Sequence, residues 1–411
     1  MSSNKPFFSI VMPTYNRAQL LSLAIQSVLQ QTFADFEIIV HNSASPDNTH
    51  EVVMSFDDPR IHYIETENKL SAGDNYQSGL SHARGEYITF LSDDDAYAPV
   101  LLERAQKVIH NYQAQIVGYP YCRYYHTDYF DLDRPIKQNS LLVPQFTGQI
   151  TKFSAANAVK QVFNCHGLKQ IESNHKFVVP YLSNAVYHRS IFERVKAVRS
   201  NLFHTVPADM YLAAAVFFVT DEYFCLDEPL LLWSIWEGNS TASARRKGNA
   251  LRAHYEKLLN GNELRFTPLK FALPLNCGIN AVLEAKHDFE NTVNDTNVDW
   301  LKYYELTYEN LISLKNEGVD ISRELKEFEQ TLLQMPIEFQ QQARREISRI
   351  APRTKRFLRA NLPSTTRSLR RFLNLRTDYK PRIIEGDKAN FDNVLEAAQT
   401  INHEFLDQSS V

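Results

Sequence analysis

The segment that decides the fold reads Ala83-Arg84-Gly85-Glu86-Tyr87-Ile88-Thr89-Phe90-Leu91-Ser92-Asp93-Asp94-Asp95. Tyr87–Leu91 is a short, largely apolar run, the pattern of a strand covered on both faces. It leads directly into three consecutive carboxylates, which repel one another at the end of a buried strand unless a cation compensates them. A hard divalent cation with oxygen ligands, Mg²⁺ or Mn²⁺, is the natural partner, with substrate phosphates completing its shell. The plainer alternative is a solvated acidic turn in which Asp95 caps the next helix.

Upstream of this segment, strand and helix signals alternate. Phe7–Met12 reads as a buried strand closed by Pro13, and Leu20, Leu21, Ala24, Ile25, Val28 and Leu29 recur at helical spacing. Phe36–His41 is a second strand, and Asp47 suits the N-cap of a helix through Val52 and Val53. Ile61–Ile64 is a third strand and Ser71–Arg84 a helix; past the acidic turn, Pro99 suits the first turn of another helix. This alternation predicts a mainly parallel sheet covered on both faces, with ligands bound beyond the carboxyl ends of its strands. The residues to watch are therefore Thr14 to Arg17, Asn42 to Asp47 and Ser92 to Asp95. No G-x-x-x-x-G-K-[ST] occurs and no G-x-G-x-x-G follows the first strand, which argues against a P-loop and a dinucleotide fingerprint. Tyr15 offers a ring on which a base can stack, and Thr14 a hydrogen-bonding group.

The stretch from Phe8 to about Glu103 resembles the inverting, nucleotide-sugar-dependent glycosyltransferases of family 2, which have the GT-A fold. The resemblance rests on Val11-Met12-Pro13-Thr14-Tyr15-Asn16-Arg17, Ser27-Val28-Leu29-Gln30-Gln31-Thr32-Phe33, Phe36-Glu37-Ile38-Ile39-Val40, and Ala83 through Asp95 to Pro99, in that order. It implies an α/β, Rossmann-like nucleotide-sugar-binding domain over residues 1–240, with a nucleotide-binding half (1–115) and an acceptor half (116–240). A helical region (241–340) and a basic amphipathic helical tail (341–411) are expected to follow. Pro13, Thr14, Tyr15, Arg17, Asn42, Asp93 and Asp94 become the expected donor-binding residues. Asp94 and Asp93 become the ligands of Mn²⁺ or Mg²⁺, Asp94 the more direct. Asn42 stands where the family commonly has an aspartate against the base, and Ser92 replaces an aspartate found in many members. Asp209, opening a helix in His204-Thr205-Val206-Pro207-Ala208-Asp209, resembles the catalytic base; its plainer role is to favour the helix N-terminus. In Trp233-Ser234-Ile235-Trp236, Ser234 and Trp236 occupy places where an Arg and a His are usual, so either Arg245, Arg246 or Lys247 substitutes at the diphosphate or these three form an ordinary basic surface loop.

The resemblance implies a metal-dependent inverting transferase that moves a sugar from a nucleotide-sugar, with UDP the expected carrier, to a glycan or lipid-linked glycan in cell-surface polysaccharide synthesis. A non-catalytic sugar-nucleotide-binding protein and a nucleotidyltransferase stand as alternatives; the second usually has a Gly-rich loop that Met12–Arg17 lacks.

Composition fits that reading. The 411 residues are 44% hydrophobic and 22% charged, the globular range, and leave room for two or three domains. The four cysteines are far apart, so neither a disulfide framework nor a zinc site is expected. No signal peptide is read at the N-terminus, and the longest apolar run, Tyr211 to Val219, is too short to span a bilayer, so a cytoplasmic protein is expected. The net charge of −4 conceals a segregation. Between Gln341 and Arg382, thirteen Lys or Arg residues face only Glu346 and Asp378, a net of +11, which leaves −15 for the remainder. Ile347, Ile350, Phe357, Leu358, Leu369, Phe372 and Leu373 are interleaved with them, so the stretch suits an anionic membrane surface, a solvated helical face or a subunit contact in a homo-oligomer. No nucleic-acid reader motif accompanies the charge.

Overall fold

Phe8–Thr14 forms strand β1 and Phe36–Asn42 forms β2, each seven residues long and buried throughout. Helix α1 (Ala18–Leu29) joins them and turns Leu21, Ala24, Ile25 and Val28 inward, a spacing of three or four residues that keeps one face on the sheet. The pattern repeats through α2 (Thr49–Met54), β3 (Ile61–Glu65), α3 (Ala72–His82) and β4 (Tyr87–Phe90). Phe8 pairs in parallel with both Phe36 and Tyr87, so β1 is central, and β3 adds to the outer side of β2. Pro13 is tolerated in this central strand because the pairing with β4 ends at Val11–Phe90. Glu37 is buried near the opposite edge of the sheet, where it accepts hydrogen bonds from the Ser9 hydroxyl (2.6 Å), the Arg84 N–H (2.6 Å) and the Arg84 guanidinium (2.6 Å).

The chain then leaves the simple alternation. β5 (Ala96–Tyr97), α4 (Leu101–Tyr112), β6 (Ile116–Gly118), β7 (Tyr121–Tyr125), β8 (Ser140–Val143), β9 (Ile150–Ser154), β10 (Ala185–His188), β11 (Glu222–Leu226) and β12 (Leu231–Ile235) follow in order. They complete an eight-stranded sheet ordered β3-β2-β1-β4-β10-β6-β11-β9. Four of its seven pairings are parallel, and β10 runs antiparallel between β4 and β6. A second, five-stranded sheet is ordered β13-β8-β7-β12-β5, with β13 formed by Arg382–Glu385. This is the mixed, mostly parallel α/β architecture expected from the alternating signals. The acidic turn connects β4 of the first sheet to β5 of the second.

The computed structural model describes residues 5–127, 137–163, 178–236, 248–259, 261, 263–289, 298–316, 318–359 and 382–406. Two compact units emerge, one made of Met1–Ala158, His175–Trp236 and Lys380–Val411, the other of Val159–Asn174 and Glu237–Tyr379. The second unit is helical where described, with helices Gly248–Leu259, Pro274–Asp288, Trp300–Asn316, Ser322–Leu333 and Ile337–Arg359. Its interior is tied by Asn276, which donates to the Phe271 carbonyl and accepts from the Tyr303 hydroxyl, both at 3.0 Å.

The expectation of one basic helical tail over 341–411 is corrected here. Ile337–Arg359 is a helix of the second unit, whereas Arg382–Glu385 is a strand on β8 of the first, followed by a helix at Val394–Ile401. The basic residues Arg367, Arg370, Arg371, Arg376 and Lys380 lie outside the described residues. The strand escapes a reading by periodicity because it is four residues long and its partner lies some 240 positions upstream. Phe391, Val394, Ala397, Ala398, Ile401 and Leu406 belong to the same buried cluster as Leu21, Val28, Leu101 and Leu231.

Candidate functional site

The acidic turn is buried: Asp93, Asp94 and Asp95 expose 4%, 5% and 2% of their surface. Each carboxylate is held by a different strand end or loop. Thr14, the last residue of β1, donates its hydroxyl to Asp93 Oδ2 (2.8 Å). Arg17, just before α1, pairs with Asp93 Oδ1 (2.9 Å) and Asp94 Oδ2 (3.4 Å). The Trp236 indole N–H donates to the same Asp94 oxygen (2.9 Å), and the Arg17 guanidinium lies 5.2 Å from the centre of the Trp236 ring. Asp95 accepts the backbone N–H of Ser234 (2.9 Å). Burial, followed by Asp94, pushes the Asp93 carboxyl up to about 6, even though Arg17 works to lower it. Asp95 is likewise raised, again by burial and then by Asp94. The turn therefore carries more negative charge than one arginine neutralises.

A second group of side chains surrounds the carboxyl ends of β1, β2 and β3. Lys69 places its ammonium 3.7 Å from the centre of the Tyr15 ring. Asn42, last in β2, accepts the Ser45 N–H (3.1 Å) and hydroxyl (2.5 Å) on Oδ1 and donates Nδ2–H to the Tyr63 hydroxyl (2.8 Å). Asp47 accepts from the Ala18 N–H (3.0 Å) at the start of α1 and from the Thr49 N–H (3.2 Å) at the start of α2. One carboxylate thus satisfies orphan donors of two helices, although the N-cap of α2 is Asn48 and not the expected Asp47, one position earlier.

Asp209 sits in the first turn of the helix Ala208–Phe218, after a cis Val206–Pro207 bond. It is half-buried and its Oδ1 accepts the Met210 N–H (2.9 Å). Burial raises its pKa, with backbone hydrogen bonds in opposition. The Tyr76 phenol of α3 feels the charge of this carboxylate and of the acidic turn alike. Its pKa is raised by burial first and then by the charges of Asp93, Asp209 and Asp94, so the phenol lies within electrostatic reach of all three. The Tyr76 ring stacks on Phe203 (5.5 Å between centres) and meets Phe90 of β4 edge-on.

The structure thus brings Thr14, Arg17, Asp93 and Asp94 together in one hydrogen-bonded group; Asp209 has no hydrogen bond to that group among the described residues. Pro13 lies buried within β1, and Tyr15 and Asn42 stand beside it at the strand ends. Arg245, Arg246 and Lys247 lie outside the described residues. Sequence reasoning missed Tyr76, Lys69 and the donor role of Trp236. The spacing of Tyr76 from the Ser71 N-cap could have placed it toward the sheet; nothing local marked the other two.

Among the described residues, no group of three or more His, Cys, Asp or Glu side chains is placed to hold a metal ion. The residues present nonetheless fit a divalent cation of the hard, oxygen-preferring kind. Asp93 and Asp94 are adjacent buried carboxylates, and burial with the neighbouring Asp94 charge raises the proton affinity of Asp93; hard cations of this kind take their remaining oxygens from phosphates and water. A cation bound there would compete with Arg17 and with the Trp236 N–H for the same carboxylate oxygens.

Residues 9–195 match the model of a family described as glycosyl transferase family 2. Among curated relatives, a GalNAc(5)-diNAcBac-PP-undecaprenol beta-1,3-glucosyltransferase of Campylobacter jejuni is 45% identical over 93 residues, 22% of this chain and 30% of that protein. The UDP-Glc:alpha-D-GlcNAc-diphosphoundecaprenol beta-1,3-glucosyltransferase WfgD of Escherichia coli is 39% identical over 95 residues, 23% of this chain and 38% of that one. The chain therefore spans about a third of the length of these relatives. A solved structure, S. aureus TarS 1–349 in complex with UDP-GlcNAc, is similar at a TM-score of 0.45 and 15% identity, covering 75% of this chain and 89% of that one.

Proposed function

Because residues 9–195 match the model of glycosyl transferase family 2, we propose that this protein transfers a sugar, with inversion, from a nucleotide-sugar to a hydroxyl of a glycan or lipid-linked glycan. The observation that carries this reading is the buried Asp93–Asp94 pair at the carboxyl end of β4, where a parallel sheet presents its ligand site. The named acceptors of the curated relatives, which carry undecaprenol diphosphate, support a lipid-linked acceptor.

In this reading Tyr15 stacks on the base, and Thr14 and Arg17 hold Asp93 and Asp94 in position for the diphosphate. A Mn²⁺ or Mg²⁺ ion held by Asp93 and Asp94 would neutralise charge on the leaving diphosphate. Asp209, whose raised pKa makes it a better proton acceptor than an ordinary aspartate, takes the proton of the acceptor hydroxyl. As that proton leaves, the acceptor oxygen bonds to the anomeric carbon and the bond from that carbon to the diphosphate breaks. The single displacement inverts the configuration and forms no covalent intermediate on the protein.

No helix among the described residues is long and apolar enough to cross a membrane. We place the protein on the inner membrane face through the basic helix that begins at Ile337. Leu333 and Ile337 expose 61% and 69% of their surface beside its start, which suits insertion among lipid headgroups.

The test is release of nucleoside diphosphate and glycan extension, measured over a panel of nucleotide-sugars with undecaprenyl-diphosphate-linked saccharides and Mn²⁺. Sugar transfer in the wild type that is lost in Asp209→Asn, with donor binding retained, supports the reading. Donor binding without transfer or hydrolysis throughout the panel would identify a binding protein instead.

A further inference from the structure

The polar groups around the β1, β2 and β3 ends form one directed chain of hydrogen bonds. Asn16 N–H donates to Ser45 Oγ (2.9 Å), the Ser45 hydroxyl donates to Asn42 Oδ1 (2.5 Å), Asn42 Nδ2–H donates to the Tyr63 oxygen (2.8 Å), and the Tyr63 hydroxyl donates to Glu65 Oε2 (2.9 Å). The direction is not arbitrary. The Ser45 backbone N–H, which can only donate, also points at Asn42 Oδ1 (3.1 Å), and this fixes which end of the carboxamide is oxygen. Nδ2 must then face Tyr63, whose own proton is left for Glu65. All four bonds run toward a single carboxylate, and bonds aligned in this way reinforce one another.

Two consequences follow. Both acceptor positions of the Asn42 oxygen are occupied by Ser45, so Asn42 cannot accept a hydrogen bond from a bound base. An aspartate at position 42 would place a second negative charge against the Tyr63–Glu65 pair, which makes the asparagine and the glutamate mutually fitting. The acidic acceptor of this pocket therefore lies one strand over, directly opposite Asn42 in the β2–β3 register. The Glu65 side chain is 41% exposed, and among the described residues its second oxygen, Oε1, has no hydrogen-bond partner. The loop that follows Glu65 returns to the same mouth. Its Thr66 N–H bonds the Asn42 carbonyl (3.0 Å), its Leu70 N–H bonds Ser43 Oγ (2.6 Å), and its Lys69 ammonium sits on the Tyr15 ring.

We propose that Glu65 is the residue that selects the nucleobase of the donor, accepting a ring N–H on Oε1 while Tyr63 and Asn42 hold the carboxylate in place. The inference rests on the nucleotide-sugar reading above. The class of base it selects is one with a ring N–H next to a carbonyl, uracil (N3–H) or guanine (N1–H). Cytosine and adenine present a lone pair at the corresponding ring nitrogen and are rejected by the carboxylate, because a site built to receive a hydrogen bond discriminates strongly against a ligand that cannot supply it.

Calorimetric titration of the full chain with UDP, GDP, CDP and ADP, in the presence of Mn²⁺, tests this. The wild type should bind UDP or GDP at least tenfold more tightly than CDP and ADP, and the UDP and GDP arms separate the two bases of the class. Glu65→Ala should reduce that advantage to less than threefold by weakening the preferred nucleotide and leaving CDP unchanged. Tyr63→Phe, which keeps the carboxylate but removes its internal donor, should give an intermediate loss. A merely structural role for Glu65 would weaken all four nucleotides alike, and that outcome, or an unchanged ratio, would overturn the proposal while leaving the transferase reading intact. If CDP or ADP binds wild type best, the proposal also fails. Failure of all four to bind wild type would remove the donor-site reading and this inference together.

Discussion

Asp93→Asn is expected to make the cation-free protein more stable at pH 7.5 while removing its response to Mn²⁺ and nucleotide, and the size of the gain follows from the buried turn. The Asp93 carboxyl is pushed up to about 6, by burial first and Asp94 next, from an ordinary 3.8. At about 1.4 kcal/mol for each tenfold change in proton affinity, ionising it in the folded protein costs on the order of 3 kcal/mol. Because the folded pKa is the higher one, the folded state keeps a proton that the unfolded chain has already lost between about pH 4 and pH 6. Stability therefore falls as pH rises across that window and levels off above it. Asparagine never ionises and escapes this cost. It can still accept from Arg17 and donate to Thr14, but without charge assistance, which takes back roughly 1 kcal/mol. The net gain is about 2 kcal/mol, or roughly 4–8 °C in Tm for a unit of this size.

Thermal unfolding of both proteins with a chelator, from pH 5 to pH 8, measures the effect. The wild-type Tm should decline through pH 6 more steeply than that of the variant, since Asp95 is common to both and its contribution cancels in the difference. Addition of Mn²⁺ and UDP should then raise the wild-type Tm and leave the variant unmoved. A variant less stable than wild type at pH 7.5, or one with the same dependence on pH, would show that Arg17 and Thr14 already compensate the charge, and the argument for a cation site would lose its electrostatic basis.

Asp209→Asn should lower kcat by about 10²–10⁴-fold with little change in donor affinity, as expected for loss of a general base. The wild-type rate should fall as pH drops through a pKa above the ordinary aspartate value, because the base must be ionised and burial raises its pKa. Glu37→Gln should cost about 1–3 kcal/mol by breaking charge-assisted bonds to Ser9 and Arg84. The Glu37 pKa is lowered by those bonds against the opposing effect of burial, so its stabilisation is present above the ordinary glutamate value and lost as pH falls through the folded one; a urea series at pH 7 and pH 3.5 reads both. Gly386→Ala should release the C-terminal segment to limited proteolysis, since a Cβ there would lie 2.3 Å from Asn139 Nδ2 and 2.4 Å from the Phe391 carbonyl. Neutralising Arg344, Arg345 and Arg349 together should abolish sedimentation with anionic liposomes at physiological salt and leave the thermal unfolding curve in place; unchanged sedimentation would remove the membrane proposal.

The legible parts of this chain are those in which one short run carries its own instruction. β1, β2 and β4 are apolar stretches bounded by turn residues, and each ends in the polar group that the site uses. Their order along the chain is enough to bring Thr14, Arg17 and Asp93 together. What could not be read depends on partners distant in sequence. The direction of the Asn42 carboxamide is set by Ser45 and Tyr63, on two different elements, and nothing at position 42 itself reports it. Trp236 reads as a departure from a familiar pattern because a motif has no way to show that the indole N–H reaches a carboxylate 142 residues upstream. Residues 382–385 fail for a related reason: two isoleucines between charges do not announce a strand until Leu141 and Leu142 are beside them.

The pairing of β13 with β8 also has a consequence in time. Phe391, Val394, Ile401 and Leu406 fill the same buried cluster as α1 and β1, yet nearly 150 residues separate Trp236 from Arg382. At the usual pace of translation, about 5–20 residues each second, the ribosome needs roughly 7–30 seconds to make that intervening stretch. Through that interval β8 is an open edge, with Leu141 and Val143 lacking their β13 neighbours, and α1 lacks its covering helix. The unit that carries the candidate site is thus begun before the helical unit and completed after it, and its need for a chaperone should be greatest while that intervening stretch is being made.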